Sequence, residues 1–234
     1  MDYKYTYFLI GIGFLLLWLI LFFLRKDIRK EMFVMSVIYG ILGLISNTLF
    51  MQDWWSPLTI DGTRIGFFDS VFAGFAIGGV TGVTYETIFN KRHDKRDRRL
   101  VKSNEHVLFF LMVPASLTIF FGGYYILGWN SLITSSFALL APTAVVLFRR
   151  KDLIVEAFAS GTILVILAAI VYNFVELLTP GWVQRFWHFQ NIPPVIVFNM
   201  PLDDVFLYFL LGLFGGPLYE YWHGERLRNL KVKT

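Results

Sequence analysis

The chain is poor in reactive side chains: among its 234 residues there is no cysteine, four are histidine, and only 16% are charged. The absence of cysteine excludes disulfides, thiolate metal sites and cysteine nucleophiles, so any catalysis must use oxygen or nitrogen groups. The last apolar run contains no lysine, which excludes a retinal Schiff base there. Haem held between facing helices is disfavoured too, because every histidine falls in a loop or at the end of an apolar run.

Apolar residues dominate instead, at 56% of the chain with a mean hydropathy of +0.58. They form runs of about 20 residues, the length that a helix rising ~1.5 Å per residue needs to cross ~30 Å of hydrocarbon. The runs lie near residues 6–24, 32–50, 66–89, 106–127, 131–148, 154–176 and 203–222. The sequence therefore predicts an all-α polytopic membrane protein with seven transmembrane helices.

The basic residues predict the orientation, because short cytosolic loops carry an excess of lysine and arginine. An N-terminus outside the cytosol places 18 of the 21 basic residues inside, and leaves Lys4, Arg64 and Arg185 outside. The first run is not read as a cleaved signal peptide, because its basic cluster follows the apolar stretch. We expect a multi-pass protein of the cell (plasma or inner) membrane with its C-terminus inside. The pI of about 9.2 then reflects topology and lipid headgroups, and we expect no nucleic-acid partner.

Two stretches of sequence recur in the same order, which indicates an internal repeat. Arg25-Lys26-Asp27 with Glu31 recurs 125 residues later (25 to 150) as Arg150-Lys151-Asp152 with Glu156. The second match, 134 residues apart (69 to 203), pairs Asp69, Val71, Phe72, Phe75, Gly78, Gly82, Tyr85 and Glu86 with Asp203, Val205, Phe206, Phe209, Gly212, Gly216, Tyr219 and Glu220. We predict two parallel three-helix repeats, residues 1–92 and 129–234, joined by a linker helix within residues 93–128.

Acids inside apolar runs are the first candidates for function, because they cost free energy unless they are paired or useful. The densest cluster, Pro201-Leu202-Asp203-Asp204, opens the last run. Helix capping explains it, since proline suits the first helical position and carboxylates interact well with free amide groups. The alternative is that a carboxyl in apolar surroundings, beside a second acid, holds a proton and delivers it to an apolar substrate.

The segment from Met200 through Asp203-Asp204-Val205-Phe206 to Tyr219-Glu220 resembles the Pro-x-Glu-(Glu/Asp) signature and Phe-rich helix of the membrane lycopene cyclase domain. That family consists of two similar three-span domains, separate or fused. The resemblance implies a redox-neutral, proton-initiated cyclisation of a carotenoid or related polyprenyl end group, with no cofactor and no metal. The candidate catalytic residues are Asp203 and Asp204, as acid and base, and Asp69. The candidate substrate-binding residues are Pro201, Phe206, Phe209, Trp187, Glu220 and Glu86.

The sequence also departs from that signature. Asp203 stands where the signature has its first glutamate, and the first repeat reads Gly66-Phe67-Phe68-Asp69-Ser70, without the proline and the second acid. Either the first half is a scaffold with Asp69 as an auxiliary acid, or the chain acts on another polyprenyl substrate.

Two other functions remain open. A small-molecule transporter of the three-plus-one-plus-three type needs polar groups at mid-span, where only Asn47, Asn173, Thr118 and Thr143 are candidates. A non-catalytic carotenoid- or lipid-binding membrane protein is the third possibility. A metal site formed by His188 with Asp203 and Asp204 has only weak support.

Overall fold

The structure is a computed structural model that describes residues 2–63, 65–95 and 105–229. Within these residues it is mostly helical. They are α1 (Thr6–Leu24), α2 (Arg29–Asp53), α3 (Phe67–Ile88), α4 (Glu105–Tyr125), α5 (Ser131–Arg149), α6 (Ile154–Leu178), α7 (Trp182–Phe186), α8 (Leu202–Gly215) and α9 (Leu218–His223). The short strands are β1 (Lys91–Lys95), β2 (Ile196–Val197), β3 (Met200–Pro201) and β4 (Glu225–Asn229).

Seven helical segments of the described chain are long and apolar enough to cross a membrane, which confirms the predicted number of spans. They are Tyr3–Leu24, Lys26–Asp53, Phe67–Ile88, Val107–Tyr125, Ser131–Arg149, Lys151–Leu178 and Leu202–His223. Parts of the basic segments predicted to be cytosolic, residues 96–102 and 230–233, lie outside the described residues, as does Arg64.

The last span was predicted to be one helix over residues 203–222, and the structure divides it into two. It consists of α8 and α9, which are separated by a turn at Gly216 and Pro217. Proline has no amide hydrogen to donate and its ring clashes with the preceding helical turn, so a helix is interrupted there.

The third and seventh spans, which contain α3 and α8, pack closely against the backbones of neighbouring helices at glycine residues. A β-carbon added to Gly78 of α3 would lie 2.4 Å from the carbonyl oxygen of Met35 in α2. A β-carbon added to Gly212 of α8 would lie 2.5 Å from the carbonyl oxygen of Ser160 in α6. Both distances are far below van der Waals contact, so only glycine permits these approaches. The helix pairs α2–α3 and α6–α8 thus share one type of close contact.

Two arginines make matching contacts where the chain leaves α1 and α5. Arg25 pairs with Asp27 and donates to the carbonyl oxygens of Glu86 and Lys91. Arg150 pairs with Asp152 and, in the same way, donates to the carbonyl oxygens of Glu220 and Glu225. Arg25 therefore joins the start of the α2 segment to the end of α3, and Arg150 joins the start of the α6 segment to α9.

A short antiparallel sheet joins the segment that follows α3 to the segment that follows α9. Strand β1 pairs with β4 from Lys91 opposite Asn229 to Lys95 opposite Glu225. The sequence prediction had placed β1 in a basic loop and had not foreseen the pairing. The sheet brings residues of both segments over the ends of α3 and α9.

An aromatic assembly covers the opposite end of the bundle. Helix α7 and the β2–β3 hairpin connect α6 to α8, and Trp182 and Val183 of α7 are fully buried. Trp55, just after α2, forms an isolated β-bridge with Trp187, and the centroids of their rings are 4.9 Å apart. The start of α8 is therefore covered by protein.

Candidate active site

Asp203 and Asp204 lie in the first turn of α8 and are both buried, at 1% and 5% exposure. Pro201, in extended conformation, is the residue at which the helix begins. The Asp203 carboxylate accepts a hydrogen bond of 3.0 Å from the backbone amide of Asp204, so it satisfies one of the free amide groups of the first turn. The Asp204 side chain makes a different contact, because it accepts a short hydrogen bond from the hydroxyl of Tyr172 in α6. The two acids therefore have different surroundings.

Asp204 lines a cavity of about 490 Å³ that runs between the helices. The residues around its acidic end are mostly aromatic and include Tyr7, Trp54, Trp55, Tyr172, Trp187, Asp204 and Tyr208. The far end is lined by Leu218 and Trp222, and most of the remaining lining is apolar. From Asp204 to the end of α8 at Gly215 the helix rises roughly 16 Å, and Leu218 and Trp222 lie beyond that point in α9. The cavity is suited to an elongated apolar molecule with one end beside a carboxyl group.

Aromatic rings surround the Asp204 end of this cavity. The ring of Tyr7 lies 4.5 Å from that of Trp55, centroid to centroid, in an edge-to-face arrangement. The rings of Tyr172 and Tyr208 are 6.0 Å apart and almost perpendicular. Such ring faces carry negative electrostatic potential, which attracts a cation.

The corresponding position in the first half is neutral. Counting 134 residues back from Asp204 gives Ser70, and counting 125 back from Tyr172 gives Asn47. The Asn47 amide donates to the Ser70 hydroxyl over 2.7 Å, so an amide–hydroxyl pair replaces the phenol–carboxyl pair. Among the described residues that line the cavity, Asp204 is the only carboxyl group.

The other predicted site residues are distributed over the molecule. Asp69 is buried and accepts a hydrogen bond of 2.9 Å from the amide of Ile60, and it does not line the cavity. Trp187 does line it. Pro201 is buried in the β2–β3 hairpin and is not among the residues that line the cavity. Phe206 is 44% exposed on the outer surface, and Phe209 packs against Phe158.

Glu86 and Glu220 lie at the other end of the bundle, where Glu31 and Glu156 are buried with them. His93 of β1 joins this group, with its Nε2 atom 2.7 Å from a Glu31 carboxylate oxygen. The sequence repeat had placed these glutamates at equivalent positions in the two halves. Their convergence was not predicted.

His188 does not support the weakly indicated metal site. Its Nε2 atom lies 2.6 Å from the Ser56 hydroxyl, in the loop after α2. The Tyr172 hydroxyl donates to Asp204, and the Asp204 backbone amide donates to Asp203.

Seven spans, and a cavity with a buried carboxyl group at one end, define a multi-pass membrane protein suited to an elongated apolar ligand. Comparison with known families narrows this class. The family model described as lycopene cyclase matches residues 4–88 and 130–222, which is more than half of the chain. The chain belongs to the lycopene cyclase family, as the resemblance of residues 200–220 predicted. No curated protein and no solved structure matches the chain significantly.

Proposed function

We propose that the protein is a membrane-embedded cyclase that closes a ring at the end of a carotenoid or related polyprenyl chain, with Asp204 as the acid. The observation that carries the proposal is the Tyr172–Asp204 pair at one end of an elongated apolar cavity. Membership of the lycopene cyclase family supports a carotenoid-type substrate. The apolar lining supports it too, because a polyene offers the cavity little to bind except apolar surface.

The reaction needs one proton to enter and one to leave. Asp204 adds its proton to the terminal carbon–carbon double bond, and the π electrons of that bond form the new C–H bond. The resulting cation accepts electrons from the next double bond in reach, which closes a carbon–carbon bond and moves the positive charge into the ring. Loss of a neighbouring proton to the Asp204 carboxylate then forms a ring double bond and restores the acid. Atoms and charge balance without a redox partner.

Each neighbour of Asp204 has a distinct part in this proposal. Tyr172 holds the carboxyl group in one orientation through its hydrogen bond, which sets the direction of proton transfer. Trp55 and Trp187 present ring faces to the cation and, with α7, keep water from quenching it. Asp203 acts as a positioning residue, because its carboxylate is bonded to the Asp204 amide.

We further propose that the scaffold consists of two parallel three-helix repeats, residues 1–92 and 129–234, with α4 in the linker, residues 93–128. The matched contacts of Arg25 and Arg150 support this arrangement. The equivalent glycine approaches of Gly78 and Gly212 support it too, as does the match of one family model to two segments. The distribution of basic residues supports an orientation with the N-terminus outside and the C-terminus inside, in the plasma or inner membrane.

The proposal is tested by expressing the chain in bacteria that accumulate lycopene and separating the pigments by chromatography. Monocyclic or bicyclic products are expected. The Asp204→Asn variant removes the transferable proton and should lower the rate by a factor of about 10² or more, the usual contribution of a general acid. Asp2→Asn is the matched control, because Asp2 is exposed at the N-terminus and lines no part of the cavity.

Incubation of membranes that contain the protein with unlabelled lycopene in deuterated buffer tests the protonation step. Each ring formed by protonation should keep one hydrogen from the solvent, which mass spectrometry detects as one deuterium per ring. Unchanged lycopene in cells with normal amounts of membrane-inserted protein contradicts the proposal. Lycopene that copurifies with the protein without conversion instead favours the carotenoid-binding alternative.

A further inference from the structure

A group of buried acids at the end of the bundle opposite Asp204 takes no part in the proposed cyclisation. Glu31 comes from α2, Glu86 from α3 and Glu220 from α9, and all three are at most 2% exposed. His93 reaches the same place from β1. One ligand atom from each of these four residues lies within 4.8 Å of the other three.

The carboxylates of Glu86 and Glu220 have polar atoms that the protein leaves unsatisfied. Both oxygens of Glu86 and both of Glu220 are buried and accept no hydrogen bond from a protein donor. Leaving such atoms unpaired in a medium of low dielectric constant costs several kcal/mol per ionised group. One oxygen of each of these carboxylates lies within 4.8 Å of ligand atoms of Glu31 and His93, so unpaired acceptors that converge there indicate a positively charged ligand.

The nearby arginines do not supply that charge by direct contact. Arg25 directs its N–H groups to Asp27 and to two backbone carbonyl oxygens. Arg150 directs its own to Asp152 and to two other carbonyl oxygens.

We propose that Glu31, Glu86, His93 and Glu220 form a binding site for a divalent transition-metal ion such as Mn²⁺ or Zn²⁺. Carboxylate and imidazole together suit these ions, whereas an all-oxygen set would favour Mg²⁺ or Ca²⁺. Opposite ligands of an octahedral ion are about 4.2 Å apart when each bond is about 2.1 Å. The observed spread of up to 4.8 Å therefore needs to contract by only a few tenths of an ångström.

Glu225 of β4 completes the arrangement around the histidine. Its carboxylate oxygen lies 2.9 Å from Nδ1 of His93, while Nε2 of His93 faces Glu31. A metal-binding histidine commonly directs its second nitrogen to a carboxylate, which fixes the orientation of the ring. Because β1 pairs with β4, the ion would join α2 and α3 to the segment that follows α9. Its role is therefore structural and distinct from the cavity.

The competing explanation is that these carboxyl groups are neutral and share protons, since the Glu86 and Glu220 side chains lie against each other. Replacing one acid by glutamine separates the two cases. Glutamine keeps the shape of the glutamate side chain but removes its negative charge, so a cation site binds its ion more weakly. If the carboxyl groups instead share protons, the same change removes a group that had to stay protonated. The free energy of unfolding then stays the same or rises.

The test uses the full chain, purified in detergent and stripped with EDTA. Addition of Mn²⁺ or Zn²⁺ should give one bound ion per chain by elemental analysis after desalting, and should raise the thermal unfolding midpoint. Mg²⁺ and Ca²⁺ serve as comparison ions. Glu86→Gln and Glu220→Gln should each weaken binding by a factor of about ten or more. Glu176→Gln is the matched control. Glu176 lies near the C-terminal end of α6, outside the four-residue cluster, and its carboxylate accepts a hydrogen bond from the Gly181 amide.

The proposal is overturned if the stripped wild type binds no more metal than the Glu86→Gln/Glu220→Gln double variant, or if metal leaves its unfolding midpoint unchanged. Binding to the wild type alone decides the matter even if a variant fails to fold. None of these measurements depends on pigment conversion, so failure here and failure of the cyclase proposal are distinguishable.

Discussion

Replacing Gly212 by alanine tests the packing that holds α8, and with it Asp204, against α6. The added β-carbon would lie 2.5 Å from the carbonyl oxygen of Ser160 and 2.6 Å from the Cα atom of Gly161. Both atoms belong to the backbone of α6 and cannot rotate away. Ordinary contact needs about 3.4 Å or more, so the two helices must separate by roughly 1 Å.

The magnitude follows from two opposing effects. Overpacking a well-packed interface costs about 1–3 kcal/mol, and here the loss of close contact along α6 and α8 places the cost at the upper end. Alanine recovers up to ~1 kcal/mol through its higher helix propensity. The net loss is about 2 kcal/mol, which lowers the melting midpoint of a chain of this size by roughly 4–8 °C.

Thermal unfolding of the purified protein in one detergent gives the comparison, with Gly122→Ala of α4 as the control. The nearest atom to a β-carbon at Gly122 is 4.0 Å away, so this change should leave the midpoint equal or higher. Gly78→Ala, which meets the Met35 carbonyl oxygen at 2.4 Å, should behave like Gly212→Ala. A Gly212→Ala protein as stable as Gly122→Ala would refute the argument from close approach.

Two further predictions concern side chains that position others. Tyr172→Phe removes the donor to Asp204 but keeps the ring, so pigment conversion should fall about tenfold at an unchanged protein level; full conversion would show that orientation by the hydroxyl is unnecessary. Arg150→Lys cannot reproduce the forked hydrogen bonds of a fully buried guanidinium and should cost about 2–4 kcal/mol. In denaturant titration, Arg25→Lys should cost less, because the Arg25 side chain is partly exposed; equal losses would contradict this reasoning.

The helical spans could be predicted because each depends on local composition. Runs of about 20 apolar residues have few alternatives in a bilayer, and the predicted limits of the first span, residues 6–24, coincide with α1. The region of residues 181–200 carried no comparable signal. Its short helix α7 and the β2–β3 hairpin depend on burial of Trp182 and Trp187 against α2 and α6, which is a tertiary effect.

The site was predicted only in part for a similar reason. Asp204 was identifiable from its signature, whereas its partner Tyr172 is one of eleven tyrosines and lies 32 residues away in sequence. The repeat offsets placed Glu86 and Glu220 at equivalent positions. Their meeting with His93 depends on how the two halves pack and on the pairing of β1 with β4, neither of which local sequence encodes.

In the proposed scaffold of two repeats, the difference between the halves accounts for a single proposed reaction centre. Equivalent helices bring Asn47 to Ser70 in the first half and Tyr172 to Asp204 in the second. An amide–hydroxyl pair has no proton acidic enough for an alkene, so in the proposed reaction the first half lines the cavity without supplying an acid. The second half alone supplies the acid of the proposed reaction. A linear substrate with two reactive ends then has to leave and return in the opposite direction before its second ring can form.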